Sequence, residues 1–272
     1  MTQLATLISG FEQLWPLGNA EDWDTPGLQL GNPDQEIRKV MLTVDITDAV
    51  VECAIEAEVD LLLAHHPYLM RGVKYLGENQ AKGAVIAKAI RAGLAIYSAH
   101  TNADVVVDGV SDVLARALGL TDLVPLVGLD GVGSGRVGNL TDATTLGKFA
   151  SAVARTLPHT ATGVRVAGDY NQVVERVAVC GGAGDSFIES AWQAGADVYV
   201  TADLRHHVVQ DARENALARG SNSNLAIIDV SHWASEFLWL DVAANQLRRI
   251  YQETVFEVCD LRTDPWDFVV TQ

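Results

Sequence analysis

Apolar positions along the chain follow two alternating periods. Leu4, Leu7, Ile8, Phe11, Leu14 and Trp15 recur at helical spacing and predict an opening amphipathic helix, closed near Pro16 and Gly18. WDTPGLQLG (23–31) reads as a turn feeding a short strand. VMLTVDIT (40–47), VDLLLAHH (59–66) and GLAIYSAH (93–100) are apolar runs of strand length, separated by helical stretches over roughly 48–58 and 81–92. GVSDVLARALGL (109–120) predicts a further helix, stopped by Gly119. Beyond residue 138 the alternation resumes. A helix over 145–157 precedes strands at VRVAG (164–168) and RVAVCGG (176–182), then a helix over 186–194. The strand ADVYVTAD (196–203), a helix from Leu204, the strand LAIIDVS (225–231), a long helix from His232 and a last strand TVFEVCD (254–260) complete the pattern.

Strands alternating with helices imply a layered α/β fold. The stretch 123–138 is dense in glycine and is a candidate domain junction, giving a first half over 1–125 and a second over 126–272. Four expected strands end in polar residues: LLLAHHP, AIYSAHTNAD, VYVTADLRHH and AIIDVSHWASE. In open α/β sheets ligands bind beyond the carboxyl ends of the strands, so four such ends together point to one site assembled from distant sequence.

Composition narrows the class. With 272 residues, 49% hydrophobic and 20% charged, the chain is globular, and its 35 acidic against 19 basic residues give a net charge of -16. That balance excludes a body that grips a phosphate backbone, so nucleic acid is not an expected partner. No apolar run reaches the length of a spanning helix, and no membrane association is expected. Three cysteines, Cys53, Cys180 and Cys259, stand far apart with no CxxC pair and fit a reducing, cytoplasmic setting.

The chemistry-bearing residues cluster at those strand ends. His65 and His66 precede Pro67, which favours extended backbone and so diverging imidazoles. They suit two metals, or one packed and one surface histidine. In HTNAD, Asp104 can ligate a divalent ion and His100 can ligate or carry protons, while an Asx-type turn around a buried histidine explains the same residues. His232 and Glu236, four apart at the head of a helix, share one face. They suit zinc, iron or manganese, or a cap after Ser231 with a solvated Glu236. Asp203 reads as a helix N-cap, and His207 as a group that contacts substrate or orients a ligand. Gly181, Gly182 and Gly184 resemble an anion-cradling turn without matching a nucleotide motif, and Cys180 reads as a buried strand residue.

HHP, HTNAD and HWASE, in this order with WDTPGLQLG, VAVCGGAGDSF and DVYVTADLRHH, resemble the NGG-one-interacting-factor-three-like family. Its bacterial members are often labelled GTP cyclohydrolase 1 type 2 homologues. The resemblance runs almost end to end. It implies two intertwined, related α/β repeats with mixed sheets, a metal cleft between them and a ring-shaped homohexamer. It also implies two divalent ions per chain (zinc, iron or manganese) with His65, His66, Asp104, His232 and Glu236 as ligands and Glu236 as bridge. Ala202 stands where members usually have glycine before the aspartate, and the inserted domain of longer members is absent.

The expected function is a metal-dependent hydrolase acting on a small molecule, a nucleotide or cyclic amide by the family label alone, with His100 and then His207 as proton carriers. The alternative is a non-catalytic metal-binding scaffold that binds partners or handles metal. A nucleotide-binding fold without metal ranks below both.

Overall fold

A computed structural model describes residues 2–129, 131–220 and 225–271. It is an α/β protein with mixed sheets, and it separates into two compact units. The first comprises Met1–Ala103 and Leu240–Thr263, the second Asp104–Trp239 and Asp264–Gln272. The boundary expected near residue 125 falls inside a strand of the second unit.

The chain opens with β1 (Thr2–Gln3), α1 (Leu4–Leu14), β2 (Gly27–Leu30), β3 (Glu36–Ile37), β4 (Lys39–Thr43), α2 (Asp48–Glu56), β5 (Leu61–Ala64), α3 (Ala81–Ala92), β6 (Ala95–Ser98) and the short α4 (Thr101–Asp104). There follow α5 (Val110–Ala117), β7 (Leu120–Leu129), β8 (Val132–Thr145), α6 (Leu146–Thr156), β9 (Arg165–Ala167) and β10 (Val173–Ala183). The last elements are α7 (Ile188–Gln193), β11 (Val198–Ala202), α8 (His206–Ala218), β12 (Ala226–Val230), α9 (His232–Ile250) and β13 (Val255–Val258).

In the first unit the sheet order is β13-β4-β5-β6-β2, with β2 antiparallel and the other pairs parallel. In the second it is β7-β8-β10-β11-β12-β9, and β10, β11 and β12 are likewise parallel with β9 antiparallel at the edge. Each unit thus places three successive parallel strands beside an edge strand that precedes them in sequence. Buried on both faces, the parallel strands are read correctly from their continuous apolar runs.

The likeness extends to single hydrogen bonds. Asp60, before β5, accepts the backbone N–H groups of Arg38 and Lys39; Asp197, before β11, accepts those of Glu175 and Arg176. Gln35 O receives the N–H that starts α1, from Leu4, and Gln172 O the one that starts α6, from Leu146. Gly31 and Gly168 both have positive φ, and a Cβ at either would lie within 3 Å of the Cβ of Ala95 or Ala226 at the head of the third parallel strand.

The glycine-dense stretch forms the β7–β8 hairpin. Gly128 and Gly133 face one another across it so closely that a side chain on either would strike the opposite backbone, at 2.4 and 2.1 Å. The core of the first unit gathers Met41, Leu62, Ile96, Val50 and Val85; that of the second gathers Val137, Ala178, Tyr199 and Ala191. Among the described residues no helix is long and apolar enough to cross a membrane.

Candidate functional site

In the first unit β5 and β6 run parallel with Ala64 opposite Ser98, so the residues that follow them emerge at one end of the sheet. That register brings His65, His66 and His100 together. Their ring centroids lie 4.9–5.4 Å apart, and one ligand atom from each falls within 4.8 Å of the others, close enough to hold a metal ion. Each ring is oriented through Nδ1. His65 Nδ1 lies 2.9 Å from the Ala99 carbonyl, His66 Nδ1 2.7 Å from Asp45 Oδ1 and His100 Nδ1 2.9 Å from Asp24 Oδ1. A carbonyl or carboxylate only accepts, so Nδ1 carries the proton in each neutral ring and Nε2 carries the lone pair.

Asp24 comes from the WDTPG turn and its side chain is buried. Besides His100 it accepts the N–H of Thr101 at 3.1 Å and its hydroxyl at 2.6 Å. Burial alone would raise its pKa, but the hydrogen bonds from His100 and Thr101 override burial and hold it at about 2. Asn102 fixes the same loop, accepting the His100 N–H through Oδ1 and donating to the Trp15 carbonyl through Nδ2. Side chain to backbone bonds do hold this loop, around a histidine with an aspartate behind it.

In the second unit Asp104 closes α4, half-buried. His232 opens α9 with Nδ1 2.7 Å from Asp203 Oδ2 and Nε2 3.0 Å from Glu236 Oε1. Burial disfavours the His232 cation, but the Glu236 carboxylate, with Asp203 behind it, raises its pKa to about 11. Ser231 does cap this helix, accepting the Ala234 N–H, yet Glu236 is only 3% exposed, so the solvated alternative for it fails. Gly182 makes room for the pair. It has φ +68°, and a Cβ there would stand 2.4 Å from Glu236 Oε1 and 3.2 Å from His232 Nε2.

Three readings from the sequence change. Asp203 does not cap α8: the N-cap is Arg205, without a side-chain bond, and Asp203 turns through φ +58° to face His232. Ala202, where glycine was expected, is the buried last residue of β11; the left-handed turn falls on the aspartate itself. The Gly181–Gly184 turn is no anion cradle, because Gly181 and Gly182 donate their N–H groups to Ser111 and Ser235. Cys180 is buried and its thiol is pushed up to about 12 by desolvation, as suits an inert strand residue. His207 stands exposed on the first turn of α8, its ring against His206 at 5.1 Å.

Asp24 and Asp45 escape sequence reasoning because each lies far along the chain from the histidine it orients. Arg136 escapes it too. Buried at 2% exposure, it spends its five N–H donors on Asp112 and on the carbonyls of Val105, Val106, Gly133 and Gly135, pinning the base of the β7–β8 hairpin.

Residues 2–265 match the family described as Duf34/NIF3 (NGG1p interacting factor 3). A relative named GTP cyclohydrolase 1 type 2 homolog, from Streptomyces coelicolor, is 40% identical over 98% of this chain and 94% of its own. A relative of the same name from Mycobacterium tuberculosis is 33% identical over 97% of each chain, in an alignment of 375 positions. It therefore carries inserted sequence that this chain lacks. Among solved structures, a Bacillus cereus protein related to NIF3 superposes with a TM-score of 0.90 at 26% identity, covering 98% of this chain and 99% of that one. Reduced HcgD from Methanocaldococcus jannaschii gives 0.78 at 26% identity, covering 96% and 98%.

Proposed function

The chain belongs to the Duf34/NIF3 family, and on that premise we propose that it is a metal-dependent hydrolase of a small molecule, with two divalent ions per chain. The observation that carries this reading is the treatment of the histidines. Four of them, His65, His66, His100 and His232, have Nδ1 set against an oxygen acceptor. This leaves Nε2 of the first three as ligand or proton acceptor, while Nε2 of His232 faces Glu236, where a bound ion would displace its proton. Histidine nitrogen with carboxylate oxygen suits zinc, iron or manganese. His65, His66, Asp104, His232 and Glu236 would hold the ions. Gly182 supports the fit, since any side chain there would fill the space beside Glu236 and His232.

When bound, such ions lower the pKa of water and polarise an electrophilic carbon or phosphorus. The rest falls to the chain. His100 accepts or returns a proton at Nε2, and Asp24, ionised across the neutral range, holds the ring and stabilises its cation. His66 and Asp45 repeat that pairing and serve binding. His207 has no carboxylate behind its ring among the described residues, so His100 takes the proton role. The naming of relatives as GTP cyclohydrolase homologs places nucleotides and cyclic amides first among substrates to try. We propose a cytoplasmic setting, in line with the free cysteines, and, from the family resemblance alone, a homohexamer.

The test combines metal analysis with turnover. Untagged protein supplemented with zinc, iron or manganese should hold two equivalents, and Glu236→Ala should lower both metal content and turnover of a nucleotide and cyclic-amide panel. Turnover by Glu236→Ala at the unmutated rate removes these residues from the chemistry. Full metal content with no turnover on any substrate favours the scaffold reading.

A further inference from the structure

The two repeats differ on one face of their sheets. In the first unit Met41, Leu62 and Ile96 share that face, and α2 and α3 cover it with Leu30 and Tyr68 packed against them. In the second unit the corresponding residues are Ala178, Tyr199 and Ile227. Ala178 and Tyr199 pack under α7, whereas Ile227, itself only 2% exposed, lies at the floor of a cavity of about 600 Å³ that Ala167, the counterpart of Leu30, also lines. The connection explains the opening. Sixteen residues (65–80) join β5 to α3 and supply Tyr68, whereas only Asp203, Leu204 and Arg205 join β11 to α8.

Three arginines and two carboxylates, Asp229 and Glu214, line this space. Arg165, Arg205 and Arg213 converge on it, in a chain whose net charge is -16. Asp229 holds Arg165, with Oδ2 2.8 Å from its Nε, while Oδ1 accepts the Leu204 N–H. Arg205 pairs with Asp185, and Arg213 has no ion pair among the described residues. The first turn of α8, uncapped by any side chain, begins at the same wall. Val209 and Leu217 supply an apolar surface. Three arginines gathered around one cavity make sense when an anion completes the structure.

We propose that this cavity in the second unit binds a phosphorylated small molecule, its phosphate on Arg165, Arg205 and Arg213 and its carbon body on Val209 and Leu217. Guanidinium forks and uncapped helix N–H groups both match a phosphate, and the volume lies within the usual range for ligand pockets. The site stands apart from the metal reading, since it uses none of the proposed ligands.

Isothermal titration of the full chain, kept in EDTA so that no metal captures the anion, tests this with phenyl phosphate, benzoate and inorganic phosphate. Phenyl phosphate should bind best, and its affinity should fall as salt rises. Arg213→Gln should weaken it at least tenfold, and Val209→Trp should abolish it by filling the space. Arg91→Gln, on α3, and Glu236→Gln should both bind as the unmutated chain does. Absence of phenyl phosphate binding at millimolar concentration overturns the proposal, as does unchanged binding by Arg213→Gln and Val209→Trp. Benzoate binding as tightly would overturn the phosphate assignment, and inorganic phosphate binding as tightly would overturn the role of the apolar wall. A loss caused by Glu236→Gln alone would return the anion to the metal site.

Discussion

The first and second units are built on one plan and equipped differently. An aspartate before the middle parallel strand takes two backbone N–H groups in each, Asp60 in one and Asp197 in the other. Past the strand ends they diverge. Where the first unit has Asp45, oriented on His66, the second has Gly182, whose missing side chain admits Glu236 and His232. The first unit gathers three histidines from two adjacent strands; the second sets histidine and glutamate on one helix turn. The backbone bonds that define the repeat lie before the strands, and the chemistry lies after them. One scaffold can therefore carry two different groups of candidate ligands without either disturbing the sheet.

The sharpest way to break that comparison is to erase the difference at Gly182. Gly182→Ala should lower metal affinity at least a hundredfold in a competitive chelator titration, because the new Cβ overlaps Glu236 and strains a positive φ. Asp45→Gly, the reverse exchange in the first unit, should cost about 10–100-fold, the usual price of losing a group behind a ligand histidine. Equal, small losses would mean that the close approach does not matter. A second test uses acid. The folded pKa of Asp24, about 2, lies below the ordinary 3.8, so its contribution is in place above pH 4 and is lost as pH falls through 2. Asp24→Asn should lose about 2 kcal/mol at neutral pH in urea unfolding and show a flatter acid limb. Next come the matched aspartates. Asp60→Ala and Asp197→Ala should each cost about 1–3 kcal/mol, with Asp60 the larger because it also receives the Arg38 side chain. A neutral Asp197→Ala would show that the shared bonds are incidental to one unit. The smallest effect belongs to Tyr199→Phe, which removes the bond from its hydroxyl to the Gly184 carbonyl and should cost about 1 kcal/mol.

Much of this was legible along the chain. The parallel strands announce themselves as apolar runs, and their polar ends mark the candidate site, because side chains at a strand terminus stay near its position in the sheet. The repeat itself is written in GNPDQ (31–35) and GDYNQ (168–172), whose glycine, Asx and glutamine do the same work in both units. It is hard to see beforehand, since five residues with two identities have no period to betray them. Asp24 and Asp45 were hidden for another reason: their partners are 76 and 21 residues away. Asp203 misled by local chemistry. An aspartate ahead of a helix is usually a cap, and here the tertiary partner His232 wins it. The β7–β8 hairpin misled by composition, because glycines that permit close strand approach look the same in sequence as glycines that loosen a linker.

The last strand has a consequence for biosynthesis. β13 closes one side of the first sheet by pairing along β4, so Val40 and Leu42 have no neighbour on that side until Val255–Val258 has been made. Roughly 210 residues separate Thr43 from Val255, and a ribosome adding about 5–20 residues per second needs about 10–40 s to supply them. During that time a nascent chain exposes an unpaired, strongly apolar strand edge, the template on which neighbouring chains aggregate. Chaperone demand during translation should accordingly fall on residues 39–43, and be relieved only when the late strand arrives.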